Sequence, residues 1–127
     1  MHSFARPVRA FAREVSARYA DCVRTDLHAT IDIEAARRQH AAYVTALRGF
    51  GVTVDVLPAE DALPDACFVE DTSVVTGAHA LVTIPGAESR RAEVRSMRAA
   101  LTAHCTLADM AVPATLDGGD VLRVGPR

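Results

Sequence analysis

Two stretches of this chain, residues 42–58 and 95–113, carry the same order of local signals. Each indicates a helix end, a short turn, a strand and a closing proline, at an offset of about 54 residues that is typical of an internal repeat. A repeat of strand, strand, helix and strand cannot bury its apolar faces alone, so such units stack into arrays or propellers. About two copies fit into the chain, and residues 119–124 resemble the start of a third. We therefore expect residues 1–127 to form one partial α/β domain, truncated after the start of its third repeat.

The first copy contains the clearest helix signal. Apolar residues recur on one helical face over residues 33–47, Asp32 precedes them as a side-chain cap, and Gly49 or Gly51 can end the helix. Residues 52–57 then alternate apolar and polar side chains as a half-buried strand does. The predicted inner face of the helix consists of Ile33, Ala36, His40, Tyr43, Val44 and Leu47.

The second copy begins with two short β-rich stretches, residues 68–75 and 78–84, which predict a strand pair around a glycine turn. A second helix follows, for which Ser89 is the expected N-cap. Further strands are expected near residues 107–112 and from Val121 onward. The predicted inner face of the second helix consists of Val94, Met97, Leu101 and His104.

The composition is that of a soluble globular protein and excludes several functions. Hydrophobic residues make up 50% and charged residues 24%, and the net charge of −2 gives no basic field for nucleic acid. All 14 basic residues are arginine, which excludes Schiff-base chemistry and the lysine of a phosphate loop. No apolar run approaches the roughly 20 residues of a membrane span, and residues 1–7 lack the apolar core of a signal peptide. We therefore predict a cytoplasmic protein that does not bind membranes.

Three cysteines, Cys22, Cys67 and Cys105, are odd in number and far apart along the chain. They form no Cys-x-x-Cys pair, so the pattern indicates neither a disulfide framework nor a zinc site, and a reducing compartment fits best. A nucleophilic pair of Cys67 and His79 would need a geometry that the spacing does not indicate.

The acidic segment at residues 63–71 is the strongest chemical signal. Asp65, Glu70 and Asp71 flank a short apolar run that is predicted to be a buried strand, so Glu70 and Asp71 would emerge at its end. Carboxylates this close repel one another unless a cation, a metal or a proton shares the cluster. A planar guanidinium suits them because its N–H groups form bidentate, charge-assisted hydrogen bonds. The alternatives are a divalent metal, weakened by the lack of a histidine and of calcium-loop spacing, and a solvated acidic loop.

A second acidic turn, Asp117-Gly118-Gly119-Asp120, follows in the same phase of the repeat, which suggests one acidic pocket. Aspartate and glycine are ordinary turn residues, so a purely structural role is one interpretation. Paired glycines can also take unusual backbone angles, which would place Asp117 where it orients a histidine base or holds a substrate nitrogen.

Two arginines, Arg90 and Arg91, fall in the first turn of the predicted second helix, where the helix dipole disfavours cations. A bound carboxylate or phosphate would resolve this conflict, which makes Arg90 the candidate anion-binding residue. The alternative is that both arginines are exposed and pair with Glu88 and Glu93.

These residues together resemble the amino-terminal half of the dimethylarginine dimethylaminohydrolase family, within the guanidine-modifying pentein superfamily. The resemblance covers the chain from residue 30 onward, whereas residues 9–27 match less well and are expected to form a mobile lid. The fold that it implies is a five-bladed α/β propeller of strand-strand-helix-strand units, of which this chain supplies about two. The matching segments are Arg38-Gln39-His40 with Tyr43, Leu57-Pro58, Leu63-Pro64-Asp65, Phe68-Val69-Glu70-Asp71, residues 85–91 with Glu93, and residues 114–122.

The resemblance also implies an activity and a set of site residues. A cysteine thiolate of the family attacks the guanidinium carbon of a methylated arginine, methylamine or dimethylamine leaves, and water releases citrulline, with no cofactor and no metal. Asp65, Glu70 and Asp71 match the carboxylates that hold substrate nitrogens, Arg90 matches an arginine that binds the substrate carboxylate, and Asp117 matches the acidic member of the catalytic set.

The resemblance places the family's catalytic histidine, second substrate arginine and nucleophilic cysteine beyond the last residue of this chain. We therefore expect the chain alone to be inactive, and to work as a homo-oligomer or with a missing carboxyl-terminal half. Two alternatives stay open: a noncatalytic arginine-binding subunit, or a related enzyme acting on arginine, agmatine or an amidino acceptor.

Overall fold

The computed structural model describes residues 9–124. The chain consists of two structural units. The first unit contains residues 9–67 and 123–124, and the second contains Phe68–Leu122. Each unit builds one sheet and one α-helix. Residues 1–7, on which the expectation about a signal peptide rests, lie outside the described residues.

The first unit pairs strand β1 (Arg9–Arg13) in parallel with β2 (Thr53–Leu57), and helix α1 (Ile33–Gly49) precedes β2. The helix begins as predicted, because the Asp32 carboxylate accepts a hydrogen bond from the Ala35 N–H at 2.9 Å. Helix and strands pack through a small apolar core that consists of Ala12, Val44 and Val54, with Ala10, Leu47 and Val52 around it.

Two expectations about this unit are wrong. Tyr43 was placed on the inner face of the helix, but it is 58% exposed. The lid predicted over residues 9–27 begins instead with β1, in the core of the unit. Arg13, just 2% exposed, donates to the Pro58 carbonyl at 2.9 Å and forms an ion pair with Glu60 at 3.2 Å. The lid expectation is therefore wrong for residues 9–13, which are part of the sheet and its anchoring, and it stays a prediction for residues 14–27.

The second unit contains β3 (Ser73–Thr76), β4 (His79–Val82), α2 (Val94–Thr102) and β5 (Thr106–Asp109). Its sheet order is β3-β4-β5, with the first pair antiparallel and the second parallel. Gly77 has a positive φ of 58° at the turn between β3 and β4, a backbone conformation that glycine adopts without strain. The predicted order of strand, strand, helix and strand is therefore confirmed for this unit.

The approach to α2 differs from the prediction. Residues Glu88–Glu93 form a separate 3-10 helix, and Ser89 makes no side-chain cap. Met97 and Leu101 are buried as predicted, whereas His104 lies beyond the end of α2 and is exposed. The strand expected from Val121 is also absent from the described part of the chain, where residues 121–124 have no regular structure.

Neither α1 nor α2 has the length and apolar character that a helix needs to cross a membrane, as far as residues 9–124 are concerned.

Candidate functional site

Three short 3-10 turns of the second unit, Val69–Thr72, Glu88–Glu93 and Gly118–Asp120, carry most of the predicted site. Four of the five predicted residues lie in these turns or directly beside one, namely Glu70, Asp71, Arg90 and Asp117. We call the carboxylates of Glu70, Asp71 and Asp117 the acidic turn cluster.

Threonine hydroxyls explain why residues 69–72 form a turn and not the predicted strand. Thr72 is 1% exposed, and its hydroxyl donates to the Val69 carbonyl at 2.6 Å. The Thr83 hydroxyl donates to the Asp71 carbonyl at 2.7 Å. Side chains thus satisfy carbonyls that a strand would offer to its neighbour. The expectation that the acidic pair emerges at a strand end is therefore wrong, since β3 begins after the turn.

The Asp71 carboxylate is held from two sides. Its Oδ2 accepts a hydrogen bond from Arg90 Nη1 at 2.6 Å, and its Oδ1 accepts one from the Gly119 N–H at 3.1 Å. The side chain is 19% exposed, so these bonds form in a partly desolvated place. Asp71 therefore connects all three turns. Glu70, the next residue back, is exposed.

The Arg90 guanidinium is buried among acceptors. Its Nε and Nη2 donate to the two carboxylate oxygens of Glu93 at 3.1 and 2.9 Å, and Nη2 also approaches the Phe68 carbonyl at 3.4 Å. The guanidinium carbon lies 5.7 Å from the centre of the Phe68 ring. Burial by itself lowers the pKa of Arg90, but the hydrogen bonds and charges of Glu93 and Asp71 outweigh it, so the net pKa is raised. Arg90 therefore stays charged.

The interpretation that both arginines pair with glutamates fits these contacts, with one difference. Arg91 is exposed, and its Nη1 lies 3.7 Å from Glu88. Arg90 is instead 9% exposed and shared between Glu93 and Asp71. Glu93 was not among the predicted site residues, although the sequence offered it as a partner for one of the arginines and the resemblance includes it.

The two glycines of the second acidic turn are needed for close packing and not for unusual backbone angles. Among the described glycines, Gly51 and Gly77 have a positive φ, whereas Gly118 and Gly119 do not. The prediction that this turn takes unusual backbone angles is therefore wrong. A Cβ atom at Gly118 would overlap the Glu70 carbonyl oxygen and lie 2.6 Å from the Ser73 carbonyl oxygen. A Cβ atom at Gly119 would lie 2.5 Å from Asp71 Oδ1. Any larger residue would therefore separate the two acidic turns.

Asp117 lies directly before this turn and against the start of the Glu88–Glu93 segment. A Cβ atom built on Gly86 would be 3.4 Å from Asp117 Oδ2, so the carboxylate lies over that glycine. The neighbouring Leu116 N–H donates to the Ile84 carbonyl at 2.8 Å, which fixes the chain here. The second unit therefore brings Asp117 to the same group of turns as Asp71.

Asp65 belongs to the first unit, where it is 6% exposed. Both of its carboxylate oxygens accept the Val23 N–H, at 3.1 and 3.2 Å. Burial, followed by the negative charge of Asp65, raises the pKa of the adjacent Cys22 thiol. Burial, then Cys67, Cys22 and Asp65, likewise raise the pKa of Tyr19. Sequence reasoning missed this neighbourhood because its members are distant along the chain.

The three cysteines Cys22, Cys67 and Cys105 carry free thiols and are partly buried. Across residues 9–124, no group of three or more histidine, cysteine, aspartate or glutamate side chains is arranged to hold a metal ion.

Comparison with known proteins gives consistent matches. The family model for N,N dimethylarginine dimethylhydrolase, eukaryotic, matches residues 6–117. The N(G),N(G)-dimethylarginine dimethylaminohydrolase of Streptomyces coelicolor is 43% identical over 120 residues, and that of Pseudomonas aeruginosa is 35% identical over 96 residues. These alignments cover 92% and 74% of this chain but 46% and 38% of the relatives, so the chain spans about half their length or less. The family match includes residues 9–27, so the expected start of the resemblance at residue 30 was too late.

Comparison with solved structures also gives matches to this family and to its fold. The Pseudomonas aeruginosa enzyme, as a cysteine-to-serine variant complexed with citrulline, superposes with a TM-score of 0.89 at 31% identity, over 92% of this chain and 47% of that one. The N-terminal domain of ArgZ, a cyanobacterial arginine dihydrolase, superposes with a TM-score of 0.77 at 16% identity, over 88% of this chain and 42% of that one, and shares the fold. The predicted fold class, part of a pentein α/β propeller, is confirmed. On the match to the family model, the chain belongs to the dimethylarginine dimethylaminohydrolase family.

Proposed function

We propose that this chain supplies the guanidinium-holding part of a hydrolase that converts N-omega-methylated arginine to citrulline and methylamine or dimethylamine. The observation that carries the proposal is the acidic turn cluster, in which the Asp71 carboxylate is fixed by Arg90 and by the N–H of Gly119, two residues after Asp117 in the same turn region. A fixed carboxylate suits a planar cation, because its acceptor directions are set before the ligand arrives.

The cluster suits the chemistry of this reaction. A thiolate forms a bond to the guanidinium carbon, the methylated nitrogen leaves as an amine after taking a proton, and water then replaces the sulfur and leaves citrulline. The carboxylates of this chain accept N–H groups of the guanidinium, set its plane and neutralise its charge. Asp117, by its match to the family, would in addition orient the histidine that moves the proton.

The nucleophile of this reaction is expected from residues outside this chain. Cys22 is poorly suited to the role, because burial and Asp65 raise its pKa and so reduce the fraction of thiolate at neutral pH. The roles proposed for Asp65, as a ligand of a substrate nitrogen, and for Arg90, as a ligand of the substrate carboxylate, stay predictions. Arg90 already donates a hydrogen bond to the Asp71 carboxylate.

Calorimetric titration of the chain tests the proposal. We expect N-methylarginine to bind and calcium or magnesium not to compete with it, because the cluster is arranged for N–H donors. Asp71→Asn should weaken binding, whereas Asp109→Asn should not. Asp109 is a matched control, since it is likewise paired with an arginine, accepting two hydrogen bonds from Arg98 at 2.9 Å each, but on the exposed surface. Tight metal binding without any guanidine binding would contradict the proposal.

A further inference from the structure

Two glutamate–arginine pairs with the same three-residue spacing lie in the Glu88–Glu93 segment, and they differ in burial. Arg91 and Glu88 are 3.7 Å apart, and the Glu88 side chain is 87% exposed. Arg90 and Glu93 are 2.9 Å apart, and the Glu93 side chain is 2% exposed. An exposed pair contributes little, whereas a buried pair must repay the removal of two charges from water. A contribution to helix stability therefore does not explain why Arg90 and Glu93 form a buried pair.

The geometry of the buried pair fixes the guanidinium plane of Arg90. Glu93 accepts from Nε and Nη2, which is the bidentate arrangement with the greatest directional control. With that edge of the fork held, Nη1 points to Asp71 Oδ2 at 2.6 Å. The orientation of the Asp71 carboxylate thus depends on Glu93, although the two carboxylates are held by different nitrogens of the arginine.

The charges of Arg90, Glu93 and Asp71 also indicate a role for Glu93. Arg90 carries one positive charge, and Glu93 and Asp71 carry two negative charges, so the group has a net charge of −1. Without Glu93, the arginine and Asp71 alone would be neutral, and Asp71 would have little attraction left for a cation. Glu93 therefore leaves Asp71 both oriented by Arg90 and available to a positively charged ligand.

We propose that Glu93 is a positioning residue of the guanidinium site: it holds Arg90, which orients Asp71, while keeping the group negatively charged. The proposal rests on the function proposed above. It extends to the second acidic turn, because the other oxygen of Asp71 accepts the Gly119 N–H.

Glu93→Gln tests the proposal, since it keeps the shape of the side chain and removes its charge. Glu88→Gln is the matched control, in the same segment and with the same spacing to an arginine. Two properties are measured for each variant and for the wild-type chain. The first is the NMR chemical shift and hydrogen exchange of the Gly119 amide, which report its bond to Asp71. The second is the ratio of the affinities for N-methylarginine, whose side chain is cationic, and citrulline, whose side chain is neutral.

We expect Glu93→Gln to shift the Gly119 amide signal and speed its exchange. The same variant should lose about tenfold in affinity for N-methylarginine, near the low end of what a lost charge-assisted contact costs, and clearly less for citrulline. A general loosening of the structure would weaken both ligands equally. Glu88→Gln should leave both properties as in the wild-type chain. An unchanged Gly119 amide, or equal losses for the two ligands, would overturn the proposal.

Glu93→Asp keeps the inference testable if the glutamine variant does not fold. It retains the charge, so the ratio of the two affinities should stay near that of the wild-type chain, and a ratio that falls as far as expected for the glutamine variant would contradict the charge argument. The two proposals can also fail separately. A wild-type chain that binds neither ligand would count against the proposed function, while the Gly119 amide would still report whether Glu93 controls Asp71.

Discussion

Replacing Gly118 by alanine should destabilise the second unit strongly. The added methyl group would overlap the Glu70 carbonyl oxygen and lie 2.6 Å from the Ser73 carbonyl oxygen. Both are backbone atoms, and Ser73 begins β3, so neither can rotate away as a side chain could. Overpacking costs about 1 to 3 kcal/mol in cores that can partly adjust, and we expect about 3 kcal/mol here.

Urea unfolding followed by far-ultraviolet circular dichroism measures this loss. With a slope near 2 kcal/mol per molar urea, a loss of about 3 kcal/mol lowers the midpoint by about 1.5 M. Gly49→Ala is the control, because a Cβ atom there meets nothing within 4 Å, and its midpoint should equal or exceed that of the wild-type chain. Gly119→Ala should lose less stability than Gly118→Ala, because its clash is with the Asp71 side chain, but it should weaken guanidine binding. A Gly118→Ala midpoint equal to that of Gly49→Ala would refute the reasoning.

Three further predictions concern the chemistry. Asp71→Asn should weaken N-methylarginine binding by roughly 1.5 to 3 kcal/mol, the cost of a charge-assisted hydrogen bond, and an unchanged calorimetric affinity would count against the site. The raised pKa of Cys22 means that its alkylation by iodoacetamide, mapped by mass spectrometry over a pH series, should reach half its maximal rate at a higher pH in the folded chain than in urea. A midpoint at the same or a lower pH would contradict the effect of burial and Asp65. Purified residues 1–127 should form no citrulline from N-methylarginine, and turnover that disappears in a Cys67→Ala, Cys105→Ala double variant would reveal a nucleophile in this chain.

Local signals predicted those parts of the fold that depend on local physics. Asp32 caps α1 because a carboxylate before a helix can reach the free N–H groups of its first turn, whatever the rest of the chain does. Gly77 allows the turn between β3 and β4 because glycine adopts a positive φ readily. The repeat order of the second unit follows from such signals taken in sequence.

The errors arose where distant residues decide the structure. Residues 68–75 contain several strand formers, yet the Thr72 and Thr83 hydroxyls donate to carbonyls of residues 69–72 and keep that part as a turn. The environment of Arg90 depends on Asp71, 19 residues away, which local periodicity does not register. The phase of the repeat predicted that the two acidic turns lie together, but the hydrogen bond from the Gly119 N–H to Asp71 that joins them could be seen only in three dimensions.

The two sheets also differ in how far apart along the chain their partner strands lie, which bears on the order of folding. β3 and β4 are joined by two residues, so their hairpin can form within microseconds and independently of the first unit. β1 pairs with β2 only after the chain has closed a long loop that includes α1, since Arg9 lies opposite Thr53. During synthesis, β1 leaves the ribosome before its partner β2. A nascent chain of this protein therefore exposes the unpaired edge of β1 until β2 emerges, and that interval is when a chaperone would have most to protect.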